Sequence, residues 1–206
     1  MPAGEGMQKK LMRYEKGRKD ATHDHILEVA TRRFRKDGIA ASGLAGIMSE
    51  AGLTNGAFYA HFSSKNEMVE KCIERATDEQ WHQFEQEIAS GRLLDIIRAY
   101  LSGQHRDHPD TGCPSAALLP EISRQEPATR QVYTESVKRL LDAVAPQLAG
   151  MAKGLNAREI AIGVMGLLIG TLQLARAVND PSLSDEILTA GIHVAGALIH
   201  TGKGKK

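Results

Sequence analysis

Apolar residues recur at helical spacing through nearly the whole chain, and nowhere do they alternate with the period of two that a half-buried strand requires. That pattern predicts an all-α protein. Capping residues and glycines divide it into elements. Ile26, Leu27, Ala30 and Phe34 form the stripe of a first helix over about 22–37, capped by Thr22 and stopped by Gly38. Leu44, Ile47, Met48 and Ala51 predict a short second helix over about 44–51, with Gly43 at its cap, Gly46 weakening its interior and Gly52 ending it. Thr54 opens a third helix, and only about seven residues follow before the Ser63–Ser64 break. Ser64 and Glu67 form a capping box for a long fourth helix reaching about Ser90, with Trp81, Phe84 and Ile88 on one face. Five more helices are expected: about 92–106, a short one after Pro114, one from Pro127, about 157–179 and about 184–200, with 107–114 as a loop.

A hydrophobic content of 42% and a charged content of 25% suffice for a packed core. Cys72 and Cys113 lie in no Cys-x-x-Cys pair, which excludes a disulfide framework and argues against structural zinc. Met1–Asp20 is polar and basic, unlike a signal peptide. The most apolar stretch, Ile160–Leu174, carries three glycines and reads as too short and interrupted to span a membrane. The cytoplasm is the expected location, with no membrane partner. Charge is uneven: residues 1–75 hold 13 Lys/Arg against 10 Asp/Glu, and the remainder hold 13 against 15. Residues 1–21 read as a basic arm suited to an anionic surface such as nucleic acid, or as a solvated terminus.

The first three helices are short, and the second and third meet across Ala51–Asn55, where Gly52 lets the chain reverse. This is a helix-turn-helix pattern, whose second helix enters the DNA major groove. Phe58 and Phe62, at i and i+4, are expected to face inward onto Phe34, Leu44 and Ile47. Tyr59 and His61 then project elsewhere, with polar tips able to reach phosphate oxygens. Thr54 and Lys65 stand at the starts of successive helices, where free N–H groups favour an anion. Asn55, Gly56 and Ala57 are the candidates for base edges, since Asn pairs with adenine and small residues allow close approach.

The stretch Ile26–Val69 resembles the DNA-binding domain of TetR-family bacterial transcriptional regulators. The resemblance rests on Ala30, Phe34, Gly38, Ile47 and Ala51–Thr54. Its most specific part is Gly56-x-x-Tyr59-x-x-Phe62-x-x-Lys65. Gly43 and Gly46 depart from the wider family, which more often carries polar residues there. Gly112–Gln125 is similar to a stretch in a subset of these regulators. The resemblance implies a homodimer on a palindromic, double-stranded DNA operator, released when a small-molecule inducer enters the second domain. It implies phosphate contacts at Thr54, Tyr59, His61 and Lys65. It also implies that tilting the fourth helix changes the spacing of the recognition helices. The expected organisation is an arm (1–21), a DNA-binding domain (22–67), a helical ligand-binding and dimerisation domain (68–201) and a tail (202–206). The rival reading is a ligand-binding or protein-interaction adaptor that does not bind DNA.

Among the other candidates, Cys113 sits in an exposed-looking Gly-Cys-Pro loop and is either structural or a redox switch. His23-Asp24-His25 and His105-Arg106-Asp107-His108 invite a metal reading, but i and i+2 do not share a helix face, so neither a metal nor a cofactor is expected. No phosphate-binding loop or Gly-x-Ser-x-Gly is present, and an enzyme is not expected. Residues 160–175 are apolar nearly all round, which predicts burial on every side. Gly163, Gly166 and Gly170, with Gly191 and Ala195 of the last helix, are the expected dimer interface; the alternative is a monomer core. An inducer pocket is expected among Trp81, Phe84, Ile97, Tyr100, Leu118, Ile122, Tyr133, Met165, Leu168 and Leu172.

Overall fold

The computed structural model describes residues 4–151 and 154–200, the side chains of 4–16 and His200 excepted. Among these residues there are ten α-helices and no strand: α1 (Gly4–Asp37), α2 (Leu44–Glu50), α3 (Asn55–Phe58), α4 (Lys65–Ala89), α5 (Leu93–Tyr100), α6 (Gly103–Asp107), α7 (Pro114–Ile122), α8 (Pro127–Val144), α9 (Ala157–Ala177) and α10 (Pro181–His200). A 3₁₀ turn, Ala145–Leu148, follows α8. The expected tail, 202–206, lies outside the described residues.

Glycine ends the first two helices as expected. Gly38 takes φ 88° and returns its N–H to the Phe34 carbonyl at 2.9 Å. After α2, Gly52 at φ 70° allows Leu53 N–H to reach the Met48 carbonyl (2.9 Å) and Gly52 N–H the Ser49 carbonyl (3.0 Å). That paired arrangement satisfies the last carbonyls of α2 and reverses the chain into α3. Gly46 has a packing reason: a Cβ there would lie 2.8 Å from Arg33 Nη1 of α1. The guanidinium crossing it also reaches Glu50 of α2 at 3.5 Å.

Several expected boundaries are corrected. The first helix begins at Gly4, so Thr22 is interior and bonds the Arg18 carbonyl at 2.9 Å rather than capping. The stretch read as a basic arm is backbone-continuous with α1; the side chains of its residues 4–16 lie outside the described set. The third helix closes after four residues, and the chain tightens into i→i−3 bonds from Ala60 and His61. The capping box at α4 is offset by one. Ser64 Oγ accepts from Glu67 N–H at 3.1 Å, but the Glu67 carboxylate accepts from Ser63 N–H and Oγ, both at 2.6 Å.

The expected helix over about 92–106 is two helices. The break at Leu101–Ser102 is held by one local cap and by contacts from outside the segment. Ser102 Oγ caps α6 at His105 N–H (3.2 Å), and Arg176 of α9 donates to the His105 and Arg106 carbonyls at 2.6 and 3.0 Å. Pro181 starts α10 a turn earlier than expected, with Asp180 Oδ1 accepting from Ser182 and Leu183 N–H.

Two cores result. The first gathers Ile26, Ala30, Phe34, Ile47, Met48, Phe58, Phe62, Met68 and Ile73 from α1–α4, and Leu118 and Ile122 from α7. The second gathers Ile97, Leu101, Leu141, Ile160, Leu172, Leu188 and Ala195 from α5 and α8–α10. α4 runs through both, packing on α1 and lying alongside α8 from the Asn66–Glu126 bond (2.6 Å) to the Asp78–Arg139 bond (2.8 Å). α9 spans 21 residues and, contrary to the expectation of a stretch too short, is long and apolar enough by length and composition to cross a membrane. Its neighbours include α10, the Ala145–Leu148 turn, α7, α8 and α6.

Candidate functional site

Phe58 and Phe62 are buried to within 1% and 2% exposure, stacked 5.4 Å apart, and anchor the α3 segment to the first core. That anchoring turns the rest of the segment outward. Thr54, Asn55 and Gly56 are exposed, and Tyr59 is 72% exposed. Ala57 is half-buried against the core, leaving Asn55 and Gly56 as the freely presented pair. Thr54 is the N-cap of α3 but makes no side-chain cap bond, so its hydroxyl and the first N–H groups of the turn are uncommitted to each other.

His61 is half-buried. Its ring lies 6.3 Å from that of His23, and its Nδ1 has no partner among the described residues. Burial, then the neighbouring His23 and Lys19, push its pKa below the ordinary histidine value. The α1 flank carrying Lys19 and His23 therefore adjoins the face carrying Tyr59 and His61. Lys65 is committed in part: its ammonium donates to the Ile39 carbonyl at 3.0 Å, tying α4 to the α1–α2 turn. Two of its three N–H donors stay available for an anion.

A cavity of about 110 Å³ opens in the second core, between α4, α5, the start of α7, α8 and α9. Of the expected pocket residues, Phe84, Ile97, Tyr100, Met165 and Leu168 line it. The other five do not. Trp81 lies under the Arg139 guanidinium, 5.6 Å away, on the α4–α8 face. Leu118 and Ile122 belong to the first core, Tyr133 packs against it and bonds Ser115 through its hydroxyl (2.8 Å), and Leu172 is fully buried packing. Periodicity identified them as apolar and inward but not which core they enter. The polar wall of the cavity, Gln80, Cys113 and Ser115, was missed as ligand wall because no local pattern distinguishes it.

Cys113 is buried at 6% exposure, which corrects the exposed-looking position; its surroundings are the walls of two internal cavities rather than the surface. Its N–H donates to His105 Nε2 at 2.9 Å, while His105 Nδ1 pairs with the Tyr100 carbonyl at 2.7 Å. Cys72 is buried in the first core, and burial raises its thiol to about 12. No cluster among the described residues has the ligands for a metal ion.

Of the expected interface residues, Gly163, Gly166 and Gly170 are exposed on α9, with nothing within 4 Å of an added Cβ. Gly191 and Ala195 are not on that surface. A Cβ on Gly191 would lie 2.5 Å from Thr171 Cγ2, and Ala195 is fully buried, so both serve the α9–α10 packing inside the subunit. Sequence alone shows that these helices are small-residued all round, but not which stripe faces which neighbour.

Residues 26–72 match the family "Bacterial regulatory proteins, tetR family", and residues 89–190 match "Tetracyclin repressor-like, C-terminal domain". The chain is 39% identical over 64 residues to the HTH-type transcriptional regulator TtgR of Pseudomonas putida, covering 31% of this chain and 30% of that protein. It is 32% identical over 119 residues to the HTH-type transcriptional repressor KstR2 of Mycolicibacterium smegmatis, covering 58% of this chain and 51% of that one. The matched stretches thus span between under a third and about half of these relatives. In fold it is similar to a TetR-family regulator from Cytophaga hutchinsonii, with a TM-score of 0.73 at 20% identity over 92% of this chain and 98% of the other.

Proposed function

The chain belongs to the TetR family of bacterial regulatory proteins, and from that premise we propose that it is a homodimeric repressor of transcription, released from a palindromic operator by a small molecule in the second-core cavity. The observation that carries the DNA half is the division of labour in residues 54–62. Two phenylalanines are spent on the core, so that Thr54, Asn55, Gly56 and Tyr59 stand free on one exposed edge. Thr54, Tyr59, His61 and Lys65 hold phosphates and fix register; Asn55 and Gly56 meet base edges. Residues 22–67 form the DNA-binding unit and 68–201 the ligand-binding and dimerisation unit, with α4 shared between them. The cytoplasm is its site of action.

Fluorescence anisotropy with duplex DNA from upstream of its own gene tests this. Affinity should fall by about a hundredfold or more between 50 and 200 mM salt, as released counterions require. Tyr59→Phe should weaken operator and random duplex by the same factor. Asn55→Ala should weaken the operator alone, by about tenfold, one base contact's worth. A protein that ignores every duplex at low salt would leave the adaptor reading in place of this one.

A further inference from the structure

The ligand cavity is apolar except at one end, where Tyr100, Cys113, Ser115 and Gln80 form its wall. Tyr100, Cys113, Gln80 and Phe84 are also the wall of a second cavity of about 140 Å³, which Arg35 and Glu79 help to line. The two spaces share these four side chains as a common wall, so a ligand that parts them reaches both.

Arg35 is unusual there. It comes from the last turn of α1, yet its side chain is only 7% exposed. A guanidinium carries five donors and cannot shed its charge, so burial requires close, charged acceptors. Arg35 has two long contacts instead, 3.3 Å to Glu79 Oε2 and 3.5 Å to the Gly112 carbonyl, against the roughly 2.7–2.9 Å of a well-made charged bond. Its Nε has no partner among the described residues. Glu79 is better held elsewhere, by Arg75 Nε at 2.9 Å. The Tyr100 hydroxyl is likewise buried, with no oxygen or nitrogen partner among the described residues and only the weak Cys113 thiol beside it. Burial lowers the Arg35 pKa, with Glu79 offsetting it only in part.

Two poorly satisfied donors, one of them cationic, therefore line adjoining spaces whose one lining carboxylate, Glu79, is held more closely by Arg75 than by Arg35. A carboxylate supplies two oxygens in the geometry a guanidinium fork accepts. A ring-sized or roughly six-carbon body suits the apolar cavity, since a cavity of about 150 Å³ takes benzene. We propose that the protein binds a small apolar monocarboxylate, its body in the second-core cavity and its carboxylate on Arg35 and Tyr100. This rests on the reading of that cavity as the ligand chamber. Binding exchanges Arg35's protein partners, Glu79 of α4 and the loop carbonyl of Gly112, for the ligand. The end of α1, three residues from Gly38, is thereby released from α4, and that is where the DNA-binding unit feels the ligand.

Titration calorimetry on the full chain, with hexanoate, hexan-1-ol and acetate as probes, tests the assignment. Hexanoate should bind at least about tenfold more tightly than hexan-1-ol, and acetate more weakly than either, because both halves of the site are needed. Arg35→Met should abolish the preference for the acid over the alcohol, and Tyr100→Phe should weaken hexanoate several-fold. Glu79→Gln, which leaves Arg35 in place and removes its rival anion, should tighten hexanoate; this variant keeps the test meaningful if Arg35→Met fails to fold. Equal affinity for acid and alcohol, no tightening in Glu79→Gln, or no hexanoate binding by the wild type at millimolar concentration would each overturn the proposal. DNA enters nowhere in this measurement, so a failure of the operator reading and a failure of the carboxylate site are seen separately.

Discussion

His105 shows how much one side chain can fix. Its Nδ1 must donate to the Tyr100 carbonyl and its Nε2 must accept from Cys113 N–H, which requires the neutral ring with its proton on Nδ1. Protonation would set an N–H against an N–H. Burial depresses its pKa, the Tyr100 carbonyl opposes that, and nearby Arg176 adds to the depression. A histidine whose folded pKa lies below its unfolded value of about 6.5 stabilises the fold fully above that pH, and the stabilisation is lost as pH falls through the folded value. His105→Gln should therefore cost about 1–2 kcal/mol at pH 7.5, the loss of a buried hydrogen bond, and the deficit should shrink at pH 5. Urea unfolding of both proteins at one fixed concentration reads this, and the comparison cancels the contribution of His61. Parallel stability curves would mean that His105 does not titrate as its contacts demand.

At the scale of elements, α7 links the two cores. Ser115 in its first turn lines the cavity, and Leu118 and Ile122 pack in the first core. The Glu121 carboxylate accepts from Ile39 and Ala40 N–H at 2.9 and 2.8 Å, closing the turn that Gly38 opens. Nine helical residues make a strut of about 13 Å between the second-core cavity and the helix-turn-helix unit. Glu121→Gln should lower stability by about 1–2 kcal/mol, because a neutral amide replaces a charged acceptor of two N–H groups. Amide exchange at Ile39 and Ala40 should quicken. Unchanged exchange would assign the turn to Lys65 and Ser42 instead.

None of that linkage is local, which is why it was not legible in the sequence. Gly38, Gly52 and Ser64 announce their boundaries because a cap is a property of neighbouring residues. The phenylalanine pair announces its burial through i, i+4 spacing. By contrast, the carbonyls just past the break between α5 and α6 are held by Arg176, seventy or more positions away in the chain, beside the local Ser102 cap. Arg35 reaches the second cavity only because α1 lies against α4. The sequence shows Arg35 as one basic residue among several, and only tertiary packing makes it a buried cation.

At the scale of the molecule, the outer faces of α9 and α10 pose a surface problem. Ile162, Leu174, Leu183 and Val194 are between 43% and 55% exposed, beside the open row Gly163, Gly166 and Gly170. Exposed apolar side chains beside a row of open glycines are what a closely packed partner helix needs. In the dimer proposed above, a second copy related by a two-fold axis would cover it and would also set two recognition helices about 34–36 Å apart, one turn of DNA. Gly166 separates subunit from pair, because a Cβ there meets no atom of the described residues within 4 Å. Gly166→Ala in a free subunit should raise stability by about 1 kcal/mol, the helix-propensity gain of losing an exposed glycine. At a close two-fold contact the same methyl should weaken association instead. Gly166→Arg extends the argument: it should leave helix content and subunit folding intact by circular dichroism, yield monomers in sedimentation, and lower operator affinity about a hundredfold or more, since one half-site forfeits the joint binding of two. Dimers that persist in Gly166→Arg would move the interface away from α9, and the apolar stripe would then need a different cover.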